Sequence, residues 1–157
     1  MAETTKTKKT QKSDKSYYEG IGRRKTSVAR VRVYHAKKTG ATINDVSYKA
    51  GSYIINGLDI KKWTASPADQ VMLRRPIQLL DDEGTYVIFS RVANGGSKGQ
   101  RDALIHGLAR ALVNIPSEDL RSKLKANGLL TRDSRTRERR KVGTGGKSRR
   151  LKQSPKR

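Results

Sequence analysis

The last twenty-seven residues, Thr131 to Arg157, set the terms on which this chain can fold. They hold twelve lysines or arginines against Asp133 and Glu138, a net charge of +10, and their only aliphatic residues larger than alanine are Val142 and Leu151. A segment so poor in apolar side chains cannot bury enough surface to offset the entropy of ordering itself, so alone it is expected to be disordered. So dense a charge also needs a polyanion to settle on. Folding must therefore be the work of what precedes it. Hydrophobic residues make up 33% of the chain and concentrate between Tyr17 and Leu130, enough for one modest core. The expected organisation is a basic arm over 1–16, a globular domain over 17–130 and an extended basic tail over 131–157.

The balance of charge narrows the partners. A formal net charge of +22 and a pI near 10.7 exceed what solubility alone requires and make nucleic acid the leading partner. An anionic membrane surface is the weaker choice, because the basic runs lack the Trp/Phe/Leu face of an interfacial helix. The absence of cysteine excludes disulfides and Cys-ligated metals and fits a reducing compartment. No apolar run approaches eighteen residues, and the first residues lack a signal peptide's apolar core, so a cytosolic protein is expected. Residues 1–16, in which only Met1 and Ala2 are apolar, read as a disordered arm, either a solvated extension or a further RNA contact.

Order is expected to begin at Tyr17. After Gly20-Ile21-Gly22 and the cations Arg23, Arg24 and Lys25, the residues from Thr26 to His35 alternate as a strand does. Ala29, Val31 and Val33 point one way, and Arg30, Arg32 and Tyr34 the other. The second set offers two cations and an aromatic ring to phosphates and stacked bases. It also describes an ordinary polar sheet face, and the residues alone leave both open. Lys37 to Gly40 reads as a turn before a second strand near Ala41 to Asn44, and 45–52 as loop. Tyr53-Ile54-Ile55 is a short apolar run closed by Asn56-Gly57. Asp59 is expected to cap one helical piece, and Ser66-Pro67 to open another that carries Val71 and Met72 until Pro76 ends it. Asp81 to Gly84 is a turn, and Tyr86 to Val92 is the most apolar strand, suited to a central place.

A glycine-rich turn, Asn94 to Gln100, then opens a helix to about Val113, with Leu104, Ile105, Leu108, Ala111 and Leu112 in a stripe of roughly 120°. His106 and Arg110 fall outside the stripe, and Gly107 at its edge allows close packing. Ser117 is expected to cap a last helix with Leu120 and Leu124 inward, Arg121, Lys123 and Lys125 outward, and Asn127-Gly128 as its stop.

A strand, a glycine-rich turn and a helix make the usual anion site of phosphate-binding enzymes, because free N–H groups and the helix dipole converge there. The pattern here fails the nucleotide signatures. Gln100 follows Gly99 where a P-loop needs lysine, and Ala93 and Asn94 stand where a dinucleotide motif needs glycine. Gly146-Lys147-Ser148 ends like a P-loop, but Lys141 holds the first glycine position. His35 and His106, the only histidines, have no carboxylate or second histidine at ligand spacing, so no metal or other cofactor is expected. No nucleophile turn and no matched acid pair is present, which leaves catalysis without candidates. The expectation is a binding protein, not an enzyme.

Composition suits RNA and DNA equally; reach favours RNA. Twenty-seven extended residues span on the order of 90 Å, whereas a body of about 114 residues has a radius of gyration of about 13 Å. Such a tail can thread deep into a folded RNA, and Gly143, Gly145 and Gly146 let it follow an irregular phosphate path. A nonspecific protein that compacts nucleic acid is the alternative.

Several segments, in order, resemble the small-subunit ribosomal protein nine family in its bacterial-type version. They are GIGRRKTSVARV from Gly20, Asn56-Gly57, RRPIQL from Arg74, GGSKGQRDALIHGLARAL from Gly95, LLTRDSRTRERRKVG from Leu129, and the terminal Lys156-Arg157. The resemblance spans Tyr17 to Arg157. It implies an α+β fold like the second domain of ribosomal protein five, with a four-stranded mixed sheet packed by helices. It implies a structural place in the head of the small subunit, on the 3′ major domain of 16S-type rRNA, beside neighbouring ribosomal proteins. The glycine turn (Gly95, Gly96, Ser97, Lys98, Gln100) and basic strand edge (Arg23, Arg24, Lys25, Arg30, Arg32) would face rRNA. So would Arg132, Arg135, Arg137, Arg139, Arg140, Lys141, Lys147, Arg149, Arg150 and Lys152 of the tail. Its end, Arg157 with Lys156 beside it, would touch P-site tRNA. Three departures stand out: Asn94 replaces a third glycine, Pro155 displaces a serine, and the hairpin after Gly40 is longer than the family's compact pattern.

Overall fold

The computed structural model describes residues 17–36, 41–43, 46–80, 83–117 and 119–143. The expected N-terminal arm, the turn at Lys37 to Gly40, Asn44, and the turn residues Asp81 and Asp82 lie outside these, as does the tail beyond Gly143. Strands β1 (Tyr17–Arg24) and β2 (Ser27–His35) form an antiparallel hairpin about Lys25-Thr26. A short ribbon of β3 (Ala41–Ile43) and β4 (Val46–Tyr48) follows. Then come β5 (Tyr53–Ile55), β6 (Leu58–Asp59), α1 (Ile60–Trp63) and α2 (Pro67–Arg74). Strand β7 (Tyr86–Ala93), α3 (Ser97–Leu112) and α4 (Leu120–Ala126) complete the body.

The main sheet has five strands in the order β1-β2-β7-β5-β6, not the four expected, and only β5 and β7 run parallel. Two of its strands carry little hydrophobic signal. In β1 the inward positions include Gly20 and Gly22, so the buried face has almost no side chains to betray it. Strand β6 has two residues, and its Asp59 doubles as the cap of α1, accepting from Lys61 N–H at 3.0 Å. It is held by the Asn56-Gly57 turn, with both residues at positive φ (51° and 82°), the primed geometry that suits a two-residue hairpin. Strand β7 is central, as its apolar run predicts. Asp59 and Ser66 cap their helices as expected, whereas Val71 and Met72 are exposed on α2 and Leu73 is buried instead.

The segment 45–52 is not all loop, because Val46–Tyr48 pairs with β3. This ribbon lies apart from the main sheet and covers one end of its outer face. Ile43 packs with Ala36 and Val87 there, and Tyr34, Tyr48 and Phe89 close round them. The longer hairpin thus buries apolar sheet residues that would otherwise face water.

Helix α3 lies across the inner face, on Ala29, Val31 and Val33, and Leu104, Leu108 and Leu112 are fully buried. Its buried face is wider than the predicted stripe, since Ala103, Gly107 and Ala109 are also enclosed, and Ile105 is only half-buried. The small residues matter for distance. A Cβ on Gly20 would overlap the backbone of Gly107 and Ala111, and one on Gly22 that of Ala103 and Gly107. Helix and edge strand therefore touch backbone to backbone. Helix α4 starts at Leu120 with Asp119 in the cap position and no side-chain cap, so Ser117 does not begin it. Burial of Ile115, Leu120 and Leu124, rather than capping chemistry, places this helix. It ends as predicted: Gly128 N–H bonds to Lys125 O at 2.9 Å and Leu129 N–H to Leu124 O at 3.1 Å.

Gly22→Ala would force the strand and α3 apart along their whole contact, because neither backbone can yield locally. The expected cost is about 3 kcal/mol, a fall in Tm on the order of 10 °C by thermal melting. Gly96→Ala, where nothing lies within 4 Å of the added methyl, should cost less than about 1 kcal/mol.

Candidate nucleic-acid interface

Period-two alternation puts Arg30, Arg32 and Tyr34 of β2 on the outer face, opposite Arg91, Phe89 and Val87 of β7. On the other side they meet Ile21, Glu19 and Tyr17 of β1. The Arg32 guanidinium donates to Glu19 at 3.0 Å and lies 4.6 Å from the centre of the Tyr17 ring, which packs on Tyr34 with centroids 5.3 Å apart. Arg32 is thus half-committed within the protein. Arg30 and Arg91 are the reverse case. They are directly opposed across two strands, both exposed, and neither is paired with an acid among the described residues. Like charges so placed repel, and no ion pair among the described residues offsets it. Two shallow grooves open here. One runs between Tyr34 and Phe89, and the other beside the Asn56-Gly57 turn. The Asn56 side chain fixes that turn by pairing with Val92 like a peptide group, at 2.9 and 3.0 Å.

The glycine-rich turn stands at the end of the same face. Asn94 (φ 63°) and Gly95 (φ 70°) are both left-handed, so asparagine fills the place the resemblance gives to a third glycine. The Asn94 carbonyl accepts from Ser27 Oγ at 3.0 Å and Gln100 Nε2 at 3.1 Å. A Cβ at Gly95 would overlap the Ser27 hydroxyl, so glycine is required there twice over. The half-buried Gln100 is therefore folded back onto the turn, while Gly96, Ser97 and Lys98 are exposed at the uncapped start of α3.

Arg24 is placed differently from its neighbours. Its side chain is only 14% exposed. It pairs with Asp133 at 3.0 Å, approaches Asp102 at 3.7 Å, and donates to the backbone carbonyls of Arg135 (2.7 Å) and Asp133 (3.4 Å). Asp102 also pairs with Arg101, which reaches Asp69 at 2.7 Å, so one ionic chain joins α2, α3, β1 and the tail. At its far end Arg135 forks onto Asp133, and this bond, aided by Arg24, holds the Asp133 carboxyl well below the usual carboxylate range. The root of the tail is thereby latched to the body. Beyond it, Arg137, Arg139, Arg140 and Lys141 are exposed on a stretch without helix or strand, and Arg23, Lys25 and Arg132 are exposed on the body and tail root. Lys147, Arg149, Arg150, Lys152, Lys156 and Arg157 lie outside the described residues.

Arg91, His106, Arg110 and Arg121 add positive or titratable groups that the sequence reading did not single out for RNA. Arg91 sits at an outward position of a run dominated by its apolar neighbours; the alternation Val87-Phe89-Arg91 was the available signal. His35 packs edge-on to Tyr86 at 5.5 Å. Burial, then the charges of Arg110 and Arg132, push His106 below its ordinary value, with the Leu130 backbone opposing them. Among the described residues no group of three or more His, Cys, Asp or Glu could hold a metal ion, and no helix is long and apolar enough to cross a membrane.

Fold and charge together define a class: a small basic α+β protein with cationic faces on its sheet and a cationic tail fixed at its root. Comparison with known proteins is more specific. Residues 22–157 match the family described as ribosomal protein S9/S16. The small ribosomal subunit protein uS9 of Cytophaga hutchinsonii is 42% identical over 123 residues, covering 78% of this chain and 85% of that protein. The chain belongs to the ribosomal protein S9/S16 family.

The latch has a pH signature. Because the folded pKa of Asp133 is depressed, its contribution is present above the unfolded value, near 3.8, and is lost as pH falls through the folded value. The Arg135 N–H donates to Asp133 Oδ1 at 2.9 Å, so its protection factor, taken against the intrinsic exchange rate at each pH, should fall below about pH 4. Arg24→Gln should produce the same loss of protection at neutral pH. Arg24→Gln removes bonds to the tail root and leaves the apolar core intact, so the Tm of that variant should move by only about 5 °C.

Proposed function

We propose that this chain is a structural component of the small ribosomal subunit that acts by binding and not by catalysis. The observation that carries it is the family match, which spans residues 22–157, from β1 through the basic tail. In this reading the body, 17–130, rests in the head of the subunit against the 3′ major domain of the rRNA. Arg30 and Arg32, joined by Arg91, take phosphates on the outer face, where an anion relieves the Arg30–Arg91 repulsion. Arg23, Lys25 and the turn at Gly95, Gly96, Ser97 and Lys98 continue the contact along the sheet end, with Gln100 shaping the turn. Arg24 serves by fixing where the tail leaves.

From that exit the tail, 131–157, runs into the RNA through Arg132, Arg135, Arg137, Arg139, Arg140 and Lys141, then Lys147, Arg149, Arg150 and Lys152. Its end, Lys156 and Arg157, reaches the P-site tRNA. Neighbouring proteins of the subunit head are the other partners, and no cofactor or small-molecule substrate takes part. The place of action is the ribosome, in the cytoplasm.

Removal of Lys156 and Arg157 is expected to weaken P-site tRNA binding by purified subunits about two- to tenfold, the worth of one or two charged contacts, and to lower reading-frame fidelity. Unchanged affinity and fidelity would end the tRNA part of the proposal. The rRNA part requires the full chain to bind a transcript of the 3′ major domain at least about tenfold more tightly than duplex DNA of equal length at 150 mM salt. Equal affinities would indicate a nonspecific compacting protein.

A further inference from the structure

An open cleft of about 930 Å³ lies at the β1 edge of the sheet, between α3, α4 and the root of the tail. Four arginines from four elements line it: Arg23 from β1, Arg110 from α3, Arg121 from α4 and Arg132 from the tail. Arg110 is aimed by a bond to the Ile21 carbonyl at 2.7 Å, and Asn114 takes the Glu19 carbonyl at 3.0 Å. These two bonds also occupy backbone acceptors of the edge strand, so another strand could not add there without displacing them. No acid is paired with Arg23, Arg110, Arg121 or Arg132 among the described residues. The acid on the wall, Glu19, is bonded to Arg32. In the floor the Nδ1 atom of His106 is buried without a hydrogen-bond partner, beside cations that disfavour its own protonation.

Four like charges gathered from four separate elements repel one another, and no acid among the described residues is paired with them to offset that. Such an arrangement is completed by an anion from outside. The cleft is open to solvent, and its volume of about 930 Å³ is far larger than a single ion needs. Planar arginine forks fit phosphate oxygens in pairs, and Arg132 leads directly into the cationic tail. We propose that this cleft is a second phosphate site, which takes a stretch of rRNA backbone on Arg23, Arg110, Arg121 and Arg132. The RNA would then clasp the β1 edge from both sides, on the outer sheet face and in the cleft. The inference rests on the small-subunit reading above and adds a face to it.

The test uses the full chain and a transcript of the 3′ major domain, with binding measured from 50 to 400 mM salt. Among the described residues the Arg121 side chain makes no hydrogen bond or ion pair, so Arg121→Gln is the decisive variant; Arg110→Gln/Arg121→Gln extends it, and Lys61→Gln/Lys62→Gln on α1 is the control that matches the double variant in charge. Arg121→Gln should weaken binding about fivefold and lower the slope of log K against log salt by about one, and the cleft double variant by about two. The control should weaken binding less than about twofold. Equal losses in the cleft and control variants would reduce the cleft to general charge and overturn the proposal. So would unchanged RNA affinity in Arg121→Gln, the outcome if the cleft instead takes an acidic protein segment. If the unsubstituted chain shows no preference for the transcript over duplex DNA, the small-subunit reading fails and this site fails with it. A preference kept while Arg121→Gln matches the control sinks the cleft alone.

Discussion

Backbone contact between α3 and the edge strand β1 is the constraint on which the other surfaces depend. Gly20 and Gly22 leave the inner side of β1 bare, and Gly107, Ala103 and Ala111 leave the facing side of the helix almost as bare. With no side chains between them the two elements have one distance and little freedom to slide. The position of everything α3 carries follows. Its start is fixed against Ser27, which shapes the Asn94-Gly95 turn. Its second turn delivers Asp102 to Arg24 and so latches the tail, and its last turns bring Arg110 and Asn114 to the open edge of β1. One glycine-lined contact thus sets the turn, the tail exit and the cleft.

The use of acids explains where the cations are left over. Asp69, Asp102 and Asp133 are drawn into the chain of pairs that joins α2, α3, β1 and the tail, and Glu19 into the pair with Arg32. Each pair alone is worth little in water. Their joint effect is geometric, since they bind the root of a tail that has no core of its own. Arg30, Arg91, Arg23, Arg121 and Arg132 receive none of these acids. Stability would be better served by neutralising them, so unpaired cations gathered in this way suit a ligand that brings its own charge.

Much of this was legible in the sequence, and the reasons for the rest are physical. Strands β2 and β7 and helix α3 were readable because their buried positions carry large apolar side chains at the right period. Strand β1 was not, because its inward positions are mainly glycines, and hydrophobic periodicity cannot register a buried hydrogen atom. The ribbon partner Val46–Tyr48 and the two-residue β6 are too short to show a period at all. Among functional groups, Arg30 and Arg32 were visible as the outward half of an alternating strand. The latch role of Arg24 and the meeting of Arg23, Arg110, Arg121 and Arg132 were not, since these residues come from distant stretches and only the tertiary fold brings them together. The family resemblance supplied the class of partner; it could not supply these contacts.

Cryo-electron microscopy of small subunits assembled with this chain tests the account most directly, because it shows which faces meet RNA. Phosphate oxygens are expected within about 3 Å of Arg30 or Arg91 on the outer face and of Arg110, Arg121 or Arg132 in the cleft, with the tail leaving the Arg24 latch into RNA. Solvent or protein against both faces, with RNA contacted only by the tail, would contradict it.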